Sequence, residues 1–149
     1  MGLNVETSTF AAWQPLALLA EDDPDIQHAL QQFIAYLGFD VSAHSNGSDA
    51  LDALAHSTDD NRRDIDIVVL DIRMPGINGL SIAEALRADG WQVPIVIISA
   101  YDDELLLTRI RDIRRCFFFA KPIDPVSFAA ALRSLRSHRW PGESRRFLR

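Results

Sequence analysis

Residues with reactive or metal-binding side chains follow or end four short apolar segments of this 149-residue sequence. The first segment is followed by three acids and the third by one acid, while the fourth ends on a hydroxyl and the fifth precedes the single lysine of the chain. In chain order these residues are Glu21, Asp22, Asp23, Asp71, Ser99 and Lys121. If the segments are strands of one parallel sheet, their carboxyl ends share an edge, and these groups meet there.

Several carboxylates in one place repel each other, and a divalent cation relieves that repulsion. Oxygen ligands without nearby histidine or cysteine favour a hard ion, Mg²⁺ or Mn²⁺, over zinc. Such an ion attracts phosphate and offsets charge during phosphoryl transfer. The predicted chemistry is therefore phosphorylation of Asp71 as a nucleophile, with Lys121 and Ser99 contacting phosphate oxygens.

The segment 68–80, VVLDIRMPGINGL, places a sharp corner directly after Asp71. The apolar residues before Asp71 are expected to hold it rigidly at the sheet edge. The Met-Pro-Gly turn and a second glycine are expected to let the backbone bend around metal and phosphate. In this arrangement the backbone carbonyl of Arg73 is a candidate further ligand for the metal.

The positions of these groups depend on five apolar segments that alternate with five helical patterns. The segments are 16–20, 39–43, 65–70, 94–99 and 116–120, and the helical patterns cover 26–37, 49–56, 81–88, 102–113 and 124–138. Strict alternation predicts an α/β fold, a doubly wound five-stranded parallel sheet with helices on both faces. We divide the chain into an N-terminal extension (1–15), one domain (16–138) and a C-terminal tail or truncated linker (139–149).

Composition narrows the functional classes. Hydrophobic residues make up 48% of the chain and the net charge is −6, which argues against disorder and against a protein that coats nucleic acid. The longest apolar runs fall far short of the roughly 18 residues that span a bilayer. The N-terminus lacks the pattern of a secretory signal. We therefore expect a cytoplasmic protein that binds neither nucleic acid nor membrane directly.

Four motifs in this order resemble the receiver domains of two-component response regulators (the CheY-like superfamily). They are LLAEDDPDI, VVLDIRMPGINGL, IVIISAYDD and FFFAKPID, and the resemblance covers roughly residues 16–138. It implies a flavodoxin-like sheet with strand order 2-1-3-4-5. It also implies a Mg²⁺-dependent switch that takes a phosphoryl group from a sensor histidine kinase or a histidine phosphotransfer protein.

The resemblance assigns roles to individual residues. Asp71 matches the phospho-acceptor, Glu21 and Asp22 match the acidic pair that binds the metal with Asp71 and the Arg73 carbonyl, and Asp23 matches a more variable acid outside the metal set. Ser99 matches the switch hydroxyl, Lys121 the lysine before a cis proline, and Phe118 the switch aromatic. Phe118 stands where tyrosine is more frequent, so simple packing of this ring is the alternative.

The implied function is a signalling switch that phosphorylates and dephosphorylates only itself. Its output is expected on the face of helix 4, strand 5 and helix 5, where a partner, an output domain or a second copy binds. Two alternatives are a phosphatase of the haloacid dehalogenase type and a binding module that has lost phosphorylation. Both a stand-alone regulator and a receiver domain of a larger protein fit the short tail.

Overall fold

A computed structural model describes residues 14–57, 64–100 and 103–137. Five parallel strands form one sheet in the order β2-β1-β3-β4-β5. The strands are β1 (Leu16–Ala20), β2 (Asp40–His44), β3 (Ile67–Asp71), β4 (Ile95–Ser99) and β5 (Cys116–Ala120). The predicted doubly wound sheet and its strand order are confirmed. Of the extension and tail, Gln14 and Pro15 alone lie within the described residues.

A helix follows each strand: α1 (Pro24–Tyr36), α2 (Gly47–His56), α3 (Gly79–Ala88), α4 (Glu104–Arg111) and α5 (Pro125–Ser137). Short polar side chains begin them, because each accepts a backbone N–H that lacks a partner in the first helical turn. The N-capping residues are Asp23, Asn46, Asn78, Asp103 and Asp124. The cap at Asp103 explains why α4 starts two residues later than the pattern 102–113 suggested.

Alternate residues of each strand point to opposite faces of the sheet, so the sheet has two apolar cores. On one face Leu18, Val68 and Ile97 pack with Leu54, Ile82 and Ile110 of α2, α3 and α4. On the other face Leu19, Val69 and Ile98 pack with Ile34, Phe128 and Leu132 of α1 and α5. Each fully buried aliphatic side chain contributes roughly 1.5–3 kcal/mol, so the central strands are held firmly from both sides.

The three phenylalanines of β5 separate by the same alternation. Phe119 packs edge-on against Phe128 of α5, and Phe118 packs against the opposite core, while Phe117 is 41% exposed. Two of the three rings are therefore partly buried, one against each core. Among the described residues, no helix is long and apolar enough to cross a membrane.

Candidate functional site

Three carboxylates from two strand ends converge at the carboxyl edge of the sheet. One oxygen each from Glu21, Asp22 and Asp71 lies within 4.8 Å of the others. Glu21 follows β1, where its N–H donates to the carbonyl of His44 at 3.0 Å, and Asp71 ends β3. Glu21 is 1% exposed and Asp71 5% exposed, while Asp22 faces solvent. Two of the three acids are thus withdrawn from water.

Lys121 lies between the two buried acids. Its Nζ is 3.2 and 3.3 Å from the two carboxylate oxygens of Glu21 and 3.5 Å from Oδ2 of Asp71. The backbone N–H of Lys121 donates to the carbonyl of Ser99 at 2.8 Å, and the Lys121-Pro122 peptide is cis, as the resemblance implied. One ammonium group therefore faces two buried carboxylates.

This imbalance of charge is reflected in the pKa values of Glu21 and Asp71, which are both raised. Burial, and then the neighbouring Asp71, raise the pKa of Glu21 above its ordinary value, although Lys121 opposes the shift. Burial also raises the pKa of Asp71, against the lowering effects of Lys121 and of the Arg73 N–H. Removing a carboxylate from water disfavours its charged form unless cations compensate. The cluster therefore lacks positive charge when both acids are ionised.

A hard divalent cation fits this donor set. All three ligating groups are carboxylates, which suit Mg²⁺ and Mn²⁺, and their oxygens are close enough to share one ion. Asp23 is committed elsewhere, because its Oδ1 accepts from the N–H groups of Asp25 and Ile26 at the start of α1. This N-cap gives a structural reason for leaving Asp23 out of the metal set.

The two glycines after Asp71 have different purposes. Gly76 has a φ of +78°, which suits glycine and makes the corner possible. Gly79 begins α3 so close to β3 that a Cβ there would lie 2.2 Å from the carbonyl oxygen of Asp71. Sequence reasoning expected flexibility at this second glycine, whereas the structure shows that the residue provides clearance for a tight helix–strand contact.

The remaining predicted residues lie around this cluster. Ser99 ends β4, the neighbour of β3, and is 1% exposed, while Arg73 is exposed in the corner after Asp71. Phe118 is half-buried against the core beneath α4. Tyr101, the second residue after Ser99, lies outside the described residues.

Sequence reasoning missed one polar contact at this edge. The side chain of Gln27 in α1 donates from Nε2 to the carbonyl of Glu21 at 3.0 Å and to Oγ of Ser45 at 3.2 Å. Its signal in the sequence is weak, because Gln27 lies among other polar residues of an amphipathic helix. The structure shows that it faces the end of β1.

Comparison with known families places the chain in one class. Residues 17–133 match the family model of the response regulator receiver domain. The chain therefore belongs to the response regulator receiver domain family of two-component systems.

The curated relatives that match the chain include response regulators. The chain is 29% identical over 126 residues to response regulator MprA of a Mycobacterium species, covering 85% of this chain and 52% of that protein. It is 31% identical over 117 residues to DNA-binding response regulator MtrA of Mycolicibacterium smegmatis, covering 78% and 48%. The chain thus spans about half the length of these relatives.

Solved structures show the same fold. The receiver domain of an HD domain-containing protein from Pseudomonas fluorescens superimposes with a TM-score of 0.74 at 20% identity, covering 85% of this chain and 97% of that one. The BeF3-activated N-terminal receiver domain of Klebsiella pneumoniae RstA gives a TM-score of 0.69 at 26% identity, covering 81% and 98%. Their shared architecture is the five-stranded flavodoxin-like sheet.

Proposed function

We propose that this domain accepts a phosphoryl group on Asp71 from the phosphohistidine of a sensor histidine kinase or histidine phosphotransfer protein. A carboxylate oxygen of Asp71 forms the bond to phosphorus, the phosphorus–nitrogen bond breaks, and the imidazole nitrogen leaves with the electron pair. The observation that carries the proposal is the placement of Asp71: a buried acid at a strand end, within 4.8 Å of two more acids and 3.5 Å from a lysine.

Glu21, Asp22 and Asp71 would hold Mg²⁺ or Mn²⁺, with the backbone carbonyl of Arg73 as a further ligand. When bound, the ion supplies positive charge that neutralises the carboxylates and a transferring phosphoryl group. Lys121 supports the same chemistry, because its ammonium group already lies beside Asp71 and can pair with a phosphate oxygen. Ser99 at the end of β4 supplies a hydroxyl for another phosphate oxygen.

Phosphorylation would alter a surface distant from Asp71. The phosphorylated side chain carries about two negative charges, which attract the Ser99 hydroxyl, and the movement of Ser99 makes room for Phe118 to turn inward. The surface we name the output face consists of α4, β5 and α5. It carries three of the four large exposed hydrophobic side chains among the described residues, Leu105, Phe117 and Val126. Apolar groups of this kind suit a partner protein, an output domain or a second copy.

The domain would act as a switch and leave external phosphate esters unchanged. Phosphatases that use a strand-end aspartate need a second acid two residues later, and Arg73 occupies that position. We expect no measurable hydrolysis of p-nitrophenyl phosphate. We also expect slow loss of phosphate from Asp71, because Arg73 and Tyr101 are bulky. A phosphoryl lifetime of seconds that Arg73→Ala leaves unchanged would contradict the shielding.

The direct test is phosphorylation of the purified chain by acetyl phosphate, followed by intact-protein mass spectrometry. We expect one phosphoryl adduct that requires Mg²⁺, disappears with EDTA and is absent in Asp71→Asn. Asp25→Asn, which removes an exposed acid of α1, is the matched control and should be labelled like the wild type. Labelling of Asp71→Asn, or none of the wild type, would reject the assignment.

Propagation to the output face needs a separate measurement. With Mg²⁺ and beryllium fluoride, we expect amide chemical shifts to change at Leu105 and Phe118 as well as at Asp71. Beryllium fluoride forms a stable mimic of the phosphorylated aspartate and so avoids hydrolysis during the experiment. Shift changes confined to the acidic edge would contradict the coupling while leaving phosphorylation intact.

A further inference from the structure

The side-chain amide of Gln27 connects three segments at the acidic edge of the sheet. Gln27 is half-buried near the start of α1. Its two Nε2 hydrogen bonds end on the carbonyl oxygen of Glu21, at 3.0 Å, and on Oγ of Ser45 in the turn between β2 and α2, at 3.2 Å. One carboxamide group therefore links α1, the residue that follows β1, and the β2–α2 turn.

The carbonyl that Gln27 binds belongs to the planar peptide unit between Glu21 and Asp22. The preceding peptide unit is also held, since the N–H of Glu21 donates to the carbonyl of His44 at 3.0 Å. Both backbone dihedral angles of Glu21 are thus constrained, which fixes the direction of its side chain. The same contact fixes the point from which the chain continues into Asp22.

The orientation of the Asp22 side chain depends on this constraint more than that of Glu21 does. Glu21 is held by burial and by Lys121, whereas the side chain of Asp22 faces solvent and has little packing to orient it. A ligand whose backbone is free to rotate loses conformational entropy when it binds an ion. Prior fixation of the Glu21–Asp22 peptide reduces that loss.

We propose that Gln27 is a positioning residue that orients the acidic pair for divalent cation binding through the Glu21–Asp22 peptide. This inference rests on the proposed metal site of Glu21, Asp22 and Asp71. Residues that orient metal ligands typically change metal affinity by about 10- to 100-fold. Because Gln27 acts through backbone, we expect an effect at the lower end of this range.

The test compares Gln27→Met with Gln31→Met by Mn²⁺ titration, using electron paramagnetic resonance to measure free ion. Methionine keeps the length of the side chain and removes both donors. We expect Gln27→Met to weaken Mn²⁺ binding about tenfold. Gln31 lies one turn later in the same helix and is also half-buried, so the equivalent change there should leave the affinity within about twofold.

Two further measurements separate positioning from a general loss of structure. In metal-free protein, the ¹⁵N shift of the Asp22 amide should change in Gln27→Met and not in Gln31→Met, because that nitrogen shares the peptide with the Glu21 carbonyl. In an Asp22→Asn background, Gln27→Met should weaken Mn²⁺ binding by less than in the wild type, as expected for coupled residues.

The outcomes are distinct. A wild-type affinity and an unchanged Asp22 amide in folded Gln27→Met would overturn the positioning role while leaving the metal site in place. Equal weakening in both backgrounds would overturn the route through Asp22. Absence of Mn²⁺ binding by the wild-type protein would overturn the metal site itself, and this inference with it.

Discussion

The two ends of α3 accommodate buried charge in opposite ways. At its start, Gly79 packs against Asp71, whose carboxylate shares one lysine with Glu21. At its end, Arg87 is half-buried and donates four hydrogen bonds to carbonyl oxygens, those of Trp91, Val93, Arg114 and Arg115, at 2.7–3.4 Å. The acid end lacks compensating charge, whereas the guanidinium group at the other end is well supplied with acceptors.

This difference distinguishes a candidate binding site from a structural contact. The carbonyl groups around Arg87 accept its hydrogen bonds and tie α3 to the turn between α4 and β5. We therefore regard this contact as structural and not as a binding site. The acids around Lys121 are left short of positive charge when both are ionised, and a bound cation would supply it. The acidic edge thus lowers the stability of the fold at the place where we expect a ligand to bind. Removing the buried charged group at each end, Asp71 or Arg87, should therefore change stability in opposite directions.

The largest expected change in stability comes from Gly79→Ala. The added Cβ would lie 2.2 Å from the carbonyl oxygen of Asp71, so backbone must shift, and we expect a loss of about 3 kcal/mol in urea unfolding. Phosphorylation of Asp71 should also fall in the folded fraction. Gly90→Ala is the control. Gly90 has a φ of +85° but open space around it, so the cost should be about 1 kcal/mol with normal labelling.

Equal costs for the two glycine variants would show that the close approach of α3 to β3 is unimportant. A loss of stability with unaltered labelling would mean that α3 does not help to place Asp71.

The next largest effect is expected from Arg87→Met at the other end of α3. The variant leaves four carbonyl oxygens without this donor, but the half-buried position lets water reach some of them. We expect a loss of about 2 kcal/mol in unfolding free energy. Arg87→Lys should recover a part, since one ammonium group reaches fewer of the four acceptors. Asp71 should be phosphorylated normally in both folded variants. Loss of phosphorylation would contradict the view that the contacts of Arg87 are independent of the site at Asp71.

Much of the acidic edge was predictable from sequence because strand ends fix where side chains meet. Once the alternation of strands and helices indicated a parallel sheet, the carboxyl-edge rule brought Glu21, Asp22, Asp71 and Lys121 to one place. The strands were located within about two residues, since buried β segments are rich in Ile and Val.

The supporting contacts were not predictable, for a physical reason. Arg87 resembles an ordinary cation at a helix C-terminus, and one of its acceptors, the carbonyl of Arg114, lies 27 residues away in the chain. The clearance at Gly79 likewise depends on how closely α3 approaches β3. Periodicity indicates which face of an element is apolar, but it does not indicate distances of this kind.

At the acid end we expect the opposite sign from Asp71→Asn. The substitution leaves Glu21 and Lys121 as a one-to-one pair and removes a carboxylate whose charged form burial disfavours. In the absence of divalent cations at pH 7, the free energy of unfolding of the variant should be about 1 kcal/mol higher than that of the wild type. Asp25→Asn should change stability little. A destabilised Asp71→Asn would mean that the ion pair with Lys121 outweighs burial and repulsion.

The smallest expected effect is the pH dependence of the difference in unfolding free energy between Asp71→Asn and the wild type. Because the folded-state pKa of Asp71 is raised above its ordinary value of 3.8, the folded protein binds more protons than the unfolded chain between the two values. The stability of the metal-free wild type therefore falls as pH rises through this window. Subtracting its unfolding free energy from that of Asp71→Asn cancels most other titrating groups. The stabilising effect of the substitution should shrink as pH is lowered towards 4. A difference that grows on acidification would show that Asp71 is stabilised in its charged form, and the acid end would then resemble the satisfied contact at Arg87.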